Sequence, residues 1–193
     1  MSESFSITTM PRAEVDFAIG LAAAEGWNPG LHDADCFHAA DPGGFLLGRL
    51  DGEPIGCIGA VSYPGGFGFI GLYIIVPAQR GRGFGIQLWD AAMQRLAGGN
   101  IGLDGVVAQQ ANYRRSGFTL AYSNIRYERI GLLSAPSVPE LVAAREVPLS
   151  TLLDYDRRHF PAPRAAFVQR WIAQPDSAAI AFVTAGEVRG YGV

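Results

Sequence analysis

The chain has 193 residues, 49% hydrophobic and 17% charged, with a formal net charge of −3, which suits one ordinary domain or slightly more. Its 25 glycines are close to twice the average share of roughly 7%, yet they are too scattered for collagen, and the apolar fraction is too high for disorder. All fifteen Lys+Arg residues are arginine. The missing lysine excludes a Walker-type phosphate loop and every Schiff-base mechanism, and the slightly acidic balance argues against a nucleic-acid partner.

Cys36 and Cys57 form neither a disulfide framework nor a Cys-x-x-Cys pair, so a cytoplasmic protein is expected. Met1 to Met10 has no basic start and no apolar core. The longest strongly apolar stretch, Leu72 to Val76, is far short of a membrane helix, so no membrane partner is expected.

Phe5 to Thr9 alternates as a first strand, and Pro11 stands where a helix begins. Val15, Ala18, Ile19 and Ala22 recur at helical spacing up to about Gly26, and a turn leads into a second short helix before His38. Gly44–Leu50 and Pro54–Ser62 flank Asp51-Gly52, a hairpin signature, because Asp-Gly favours a two-residue primed turn. Gly66 to Val76 is apolar nearly throughout, as expected of a strand covered on both faces. Beyond Pro77, Gly81-Arg-Gly-Phe-Gly85 opens a helix whose apolar residues run from Ile86 to Leu96, ended by Gly98-Gly99. Ile101 to Ala108 reads as a strand, Gln109 to Ser116 as a helix closed by Gly117, and Phe118 to Ile130 as the strands of a terminal hairpin.

The rest restarts this order after a proline-bearing connection. Leu149–Phe160 and Ala165–Ala173 read as helices, and Ala178–Thr184 and Val188–Val193 as strands around Gly186-Glu187. Gly52-Glu53-x-x-Gly56 and Gly186-Glu187-x-x-Gly190 occupy matching places, which points to an internal repeat. Asp154, Asp156, Arg157, Arg158 and His159 read as a solvated helix face.

The informative stretch is Leu72 to Leu88, a strand emptying into a glycine-rich turn that becomes a helix N-terminus. First-turn amides and the positive dipole end make a phosphate site without lysine. Glycines at 81, 83 and 85 let the backbone approach a diphosphate, with Arg80 and Arg82 at the rim. A dinucleotide fingerprint fits poorly, because Ile86 holds the third glycine's place and Pro77-Ala78-Gln79 intervenes after the strand.

Arg80-x-x-Gly83-x-Gly85, preceded by Ile75-x-Pro77, resembles the acetyl-CoA signature of the GNAT N-acetyltransferase superfamily, and Tyr113-Arg-Arg-Ser-Gly117-Phe118 resembles its later Tyr-x-x-x-Gly-Phe motif. The resemblance covers roughly residues 5–131. It implies an α/β (α+β) fold: a mixed, mostly antiparallel central sheet flanked by helices. Backbone groups of Tyr73 and Ile75 would pair with the pantetheine arm of acetyl-CoA. Amides of Arg80, Gly81, Arg82, Gly83, Phe84 and Gly85 would hold its diphosphate, and Tyr113 would be the general acid that protonates the departing thiolate. Many members carry a glutamate on the strand before the glycine loop; Phe69 stands there instead, and no acid occurs between Glu53 and Asp90. The base is then water or a residue of the Glu25–His38 segment.

Glu25, His32, Asp33, Asp35, Cys36, His38 and Asp41 form a cluster open to two main readings, an acceptor-site lining or a plain solvated helix. A metal site is not expected, since His32 and Cys36 share a helix face but no fourth ligand has obvious spacing. Trp27, His32 and Asp35 are the acceptor-site candidates. The expectation is an acetyl-CoA-dependent N-acetyltransferase acting on a small-molecule or peptide amine by direct transfer, with an acyl-CoA-binding sensor as the alternative. The expected organisation is a GNAT domain at 1–132, a linker at 133–149, and the N-terminal part of a second GNAT-like domain, an incomplete one, at 150–193.

Overall fold

The computed structural model describes residues 3–125, 127, 130 and 138–193. The chain divides into two units, Met1–Leu103 with Glu140–Val193, and Asp104–Pro139.

In the larger unit the elements run β1 (Phe5–Thr9), α1 (Arg12–Ala24), α2 (Asp33–Ala40), β2 (Phe45–Leu50), β3 (Glu53–Tyr63), β4 (Phe67–Ile75), α3 (Phe84–Arg95) and β5 (Asn100–Leu103). The five strands form one sheet in chain order, antiparallel from β1 to β4, with β5 parallel to β4. Strand alternation sorts the side chains to two faces. Phe45, Leu47, Cys57, Val61 and Ile74 join Val15, Ala18 and Ala22 of α1 and Ala34 of α2 in one cluster. On the other face α3 buries Phe84, Leu88, Trp89 and Ala92, each large apolar side chain contributing about 1.5–3 kcal/mol. Gly48 faces that helix: a Cβ there would lie 3.2 Å from Leu88 Cδ1 and 2.9 Å from the Phe5 ring.

The segment after Glu140 continues with β6 (Leu141–Ala143), α5 (Leu149–Asp156), α6 (Ala165–Ile172), β7 (Ile180–Thr184) and β8 (Glu187–Gly192). The stretch 133–149, expected as a linker, therefore includes a strand of the second sheet, ordered β6-β7-β8. Three residues are too few to show a periodicity between Pro139 and Pro148.

The internal repeat extends to the hydrogen-bond lattice. Leu141 pairs with Phe182 as Ile7 pairs with Gly48, and Ala181 pairs with Tyr191 as Leu47 pairs with Cys57. Every pairing of the second sheet has its counterpart 134 residues earlier, including the irregularity at Phe182/Val183, which matches the one at Gly48/Arg49. Both hairpins turn through two residues of positive φ, Asp51 (49°) with Gly52 (90°) and Ala185 (50°) with Gly186 (77°), the primed geometry that matches strand twist.

The second repeat packs on the first through α6 and α2. Phe167 stacks on Phe37 with ring centroids 5.7 Å apart, and Cys36 is buried with Phe167 and Val168. Phe160 meets Tyr63 at 5.1 Å and Phe67 at 5.5 Å, edge-on to both.

In the smaller unit a turn at Val107–Gln109 leads into α4 (Gln110–Arg115), which ends at Gly117 with φ 90°. Two expectations need correction. The strand expected over Ile101–Ala108 stops at Leu103, and residues 118–125 form no strand. Leu120, Tyr122 and Ile125 are exposed, so the alternation lacks the neighbour that would bury one face. The rest of that expected hairpin falls partly outside the described residues.

Candidate functional site

The glycine loop lies where β4 passes into α3. Gly81 (φ 76°) and Gly83 (φ 85°) adopt left-handed backbone, and Gly83 precedes the first turn of α3 without a side-chain cap. A Cβ on either glycine would meet nothing within 4 Å, so the loop face is open. Gly85 is also required sterically: a Cβ there would come 2.8 Å from Tyr73 Oη. Its bareness makes room for the Tyr73 ring, which packs 5.6 Å from Trp89. Phe84 is buried against Phe5 at 4.8 Å, which fixes the start of the helix and leaves its backbone N–H to the loop.

Both loop arginines have carboxylate partners. Arg80 pairs with Glu25 at the end of α1 and donates its Nε–H to the Ile75 carbonyl at 2.7 Å. Arg82 pairs with Glu3 and Gln79 and lies 5.0 Å over the Phe84 ring.

The strand leading to the loop changes register midway. Gly59 pairs with Gly71 but Cys57 pairs with Ile74, so β4 holds one residue more than β3. Leu72 takes the strain with φ 47°, a conformation costing a branched residue about 1–2 kcal/mol. Val76 donates to Ile55 O at 2.9 Å across the ladder. By alternation, the backbone groups of Tyr73 and Ile75 point to the opposite edge. On that edge β5 pairs with Phe67–Ile70. β4 thus runs into an open loop of amides.

Tyr113 belongs to the smaller unit, on α4, with its carbonyl accepting from Phe118 N at 3.0 Å. Burial pushes its hydroxyl above the ordinary tyrosine pKa, against the opposing pull of a hydrogen bond with the Val106 backbone. It therefore holds its proton across the neutral range.

The candidates on the α1–α2 side scatter. Trp27 is 38% exposed in the loop after α1. His32 caps α2 and lies 3.4 Å from Asp176 of the second repeat. The hydrogen bond from Arg12, at 2.6 Å, holds the Asp35 carboxyl below its usual range. Cys36 faces α6 in the core, away from His32, and no three metal-ligating side chains converge among the described residues.

The solvated face expected at 154–159 holds for Asp154, Arg157, Arg158 and His159, which are exposed, but not for Asp156. Asp156 is 3% exposed, because it falls one turn after Leu152 on the inner stripe of α5. Arg164 grips it through three hydrogen bonds, at 3.3, 3.0 and 2.8 Å, and Tyr191 donates to it at 2.6 Å. Burial alone would raise the Asp156 pKa, but Arg164 and Tyr191 together hold it below the ordinary value. Leu72 and Asp156 are what sequence reasoning missed; only the glycines flanking the irregular stretch of β3 and β4 hinted at the first.

These features match known proteins in two places. Residues 13–118 match the acetyltransferase (GNAT) family and residues 152–193 match a second acetyltransferase (GNAT) domain; the chain belongs to the GNAT acetyltransferase family. It is 30% identical over 179 residues to the holothin acyltransferase of a Pseudoalteromonas species (strain SANK 73390), covering 90% of this chain and 60% of that protein, so it spans less than two thirds of the relative's length. Among solved structures, it superposes on a proposed acetyltransferase of Pyrococcus horikoshii with a TM-score of 0.69 and 16% identity, over 95% of this chain and 69% of the other. Ard1 of Thermoplasma volcanium superposes at 0.53 with 18% identity, over 61% of this chain and 84% of that one. These two likenesses are of fold. Among the described residues no helix is long and apolar enough to cross a membrane.

Proposed function

We propose that the chain binds acetyl-CoA on β4 and the glycine loop and transfers its acetyl group to an amine. The observation that carries this is the glycine loop that follows β4, where Gly81 and Gly83 leave the backbone amides open at the first turn of α3. The match to the acetyltransferase family and the likeness to an acyltransferase support it.

The residues fit the cofactor. A Cβ at Gly81 or Gly83 would project into empty space, which leaves the amides from Arg80 to Gly85 accessible to a diphosphate, and Arg80 and Arg82 border it. Tyr73 and Ile75 would meet a pantetheine arm with their backbone groups, Ile75 through its N–H, since its carbonyl accepts from Arg80. Acetyl-CoA supplies an activated thioester, whose C–S bond breaks as the C–N bond forms. Tyr113 Oη–H gives its proton to the departing thiolate, and its raised pKa keeps that proton in place until then. The attacking amine must first lose a proton. Glu25 is paired with Arg80, Asp35 with Arg12, and Asp33 caps Gly30 N at 2.8 Å, so water is the acceptor this arrangement favours.

Residues 1–132 hold the cofactor and the acid in this proposal, and residues 150–193 are a second GNAT-like unit whose α6 stands beside the acceptor-side helix α2. Two free, buried thiols suit a cytoplasmic setting. The acceptor is a small molecule or peptide amine.

Tyr113→Phe tests the acid. Its kcat should fall by about 100-fold or more, while calorimetry shows coenzyme A affinity retained. An unchanged kcat removes Tyr113 from the chemistry. Failure of the native chain to bind coenzyme A at millimolar concentration overturns the whole proposal.

A further inference from the structure

The second repeat touches the first through two rings that reach different elements. Phe167 of α6 stacks on Phe37 of α2, with an interplanar angle of 14°. Phe160, in the turn after α5, stands edge-on to Tyr63 at the end of β3 and to Phe67 at the start of β4. One cation serves both rings. The Arg164 guanidinium carbon lies 4.0 Å from the Phe160 centroid and 5.1 Å from the Phe167 centroid, and the negative face of each ring attracts it.

Arg164 is itself held in place. Its three hydrogen bonds to Asp156, and the bond from Tyr191 to the same carboxylate, leave the guanidinium fork little freedom. Its side chain is only 22% exposed and that of Asp156 3%, so salt screens the charge weakly. The charge is felt across the junction as well: burial raises the Tyr63 hydroxyl pKa, and Arg164 pulls it back. The shared strand lattice demands none of this. At the places 134 residues before Phe160, Arg164 and Phe167 stand Gly26, Gly30 and Asp33. The trio is an addition of the second repeat, set where it meets the first.

We propose that Arg164 is a positioning residue that couples the two contacts, so that the second repeat grips α2 and the β3–β4 turn as one unit. The consequence for the acceptor rests on the reading of α2 as the acceptor-side helix; the coupling does not. The grip falls at the Phe67 end of β4, whereas the glycine loop follows the strand's other end at Ile75. Cofactor binding is therefore left alone, and the second repeat acts on the acceptor side.

The test changes one contact and reads the other. Phe160→Leu keeps an apolar side chain but removes the ring face, whereas Phe160→Tyr keeps the face; both are made in the full chain. Amide exchange is followed in α2 around Phe37, at the turn around Tyr63, and in β7 and β8 as the measure of folding in the second repeat. Coupling predicts that Phe160→Leu, whose ring meets the turn, also speeds exchange in α2 by at least about 5-fold. Phe160→Tyr should restore native rates, and Phe37→Leu should speed exchange at the turn. If Phe160→Leu also opens β7 and β8, Phe37→Leu, which lies in the first repeat, decides alone. The triple variant Arg164→Met/Asp156→Leu/Tyr191→Phe removes the cation together with its buried polar partners, a replacement that folds usually tolerate. In that background each ring substitution should affect its own element only. Cross-effects that are missing in the native background, or that persist without the cation, overturn the proposal. Coenzyme A affinity by calorimetry should stay within about 2-fold in the two Phe160 variants; a larger loss would extend the grip to the cofactor and refute its confinement to the acceptor side. Native protein that binds no coenzyme A sinks the acetyl-transfer reading, while the crossed exchange still decides the coupling.

Discussion

Leu46 and Gly48 of β2 lie under α3, and Leu46 is only 9% exposed. The residues at the same register in the second sheet, Ile180 and Phe182, are 43% and 39% exposed, and Leu141 beside them is open as well. On the opposite face the two repeats agree: Met10 and Ala144, Ala18 and Leu152, Leu47 and Ala181 are buried at matching places. What differs within that buried face is its chemistry. Where the first repeat has Ala22 and Cys57, the second has Asp156 and Tyr191 joined through Arg164. The comparison teaches that one hydrogen-bond lattice supports an apolar core beside a glycine loop, or an ionic core that anchors a neighbour. Arg164 also lies 4.0 Å over Phe160, the ring that meets Tyr63 and Phe67, so the ionic core of the second repeat fixes the residue that touches the first.

Asp156→Ala breaks this comparison most severely. It leaves Arg164 buried without its partner, and urea unfolding should show a loss of about 3–5 kcal/mol. The same group carries a pH signature. Its folded pKa lies below the ordinary carboxylate value of about 3.9, so its contribution is present above that value and disappears as pH falls through the folded one. Native protein should lose stability steeply below about pH 4, and Asp156→Asn should flatten that slope; equal slopes would place the acid sensitivity elsewhere.

Gly52→Ala and Gly186→Ala sharpen the likeness instead of the difference. Both glycines stand at the second turn position with positive φ, so each substitution should cost about 1 kcal/mol. Matched shifts in thermal melting would support equivalent hairpins. A large inequality would mean that the two turns carry different loads.

The smallest effect is expected at Glu25→Gln. Its carboxylate competes with a diphosphate for Arg80 across a partly exposed pair, so coenzyme A affinity should tighten by no more than about 5-fold. The gain should fade in high salt. Weaker binding would instead make Glu25 a support for Arg80.

The sequence was legible wherever short-range chemistry decides structure. Asp51-Gly52, Gly186-Glu187 and the glycine loop announce turns and a helix start through residues that few alternatives can replace. Leu72 gave no such signal, because its left-handed backbone is imposed by pairing with β3 and not by its own side chain. Asp156 read as surface since its partners lie 8 and 35 residues further on, and burial of a carboxylate is apparent only when both arrive. Phe118 to Ile125 alternates like a strand, but alternation yields one only where a neighbouring strand offers hydrogen bonds. The steric need for Gly85 beside the Tyr73 ring is a long-range fact that its place in the motif does not disclose.

The arrangement of indoles gives the molecule a built-in optical readout for each half. Trp89 lies under Tyr73 of β4, and Trp171 stacks on Phe167 at 5.7 Å with Tyr191 beside it. Emission from Trp89 follows events at β4, whereas emission from Trp171 follows the seating of the second repeat. Replacing Trp27 and one of the other two by phenylalanine would leave a single fluorophore for each, so ligand binding and repeat docking can be watched as separate colours of the same unfolding curve.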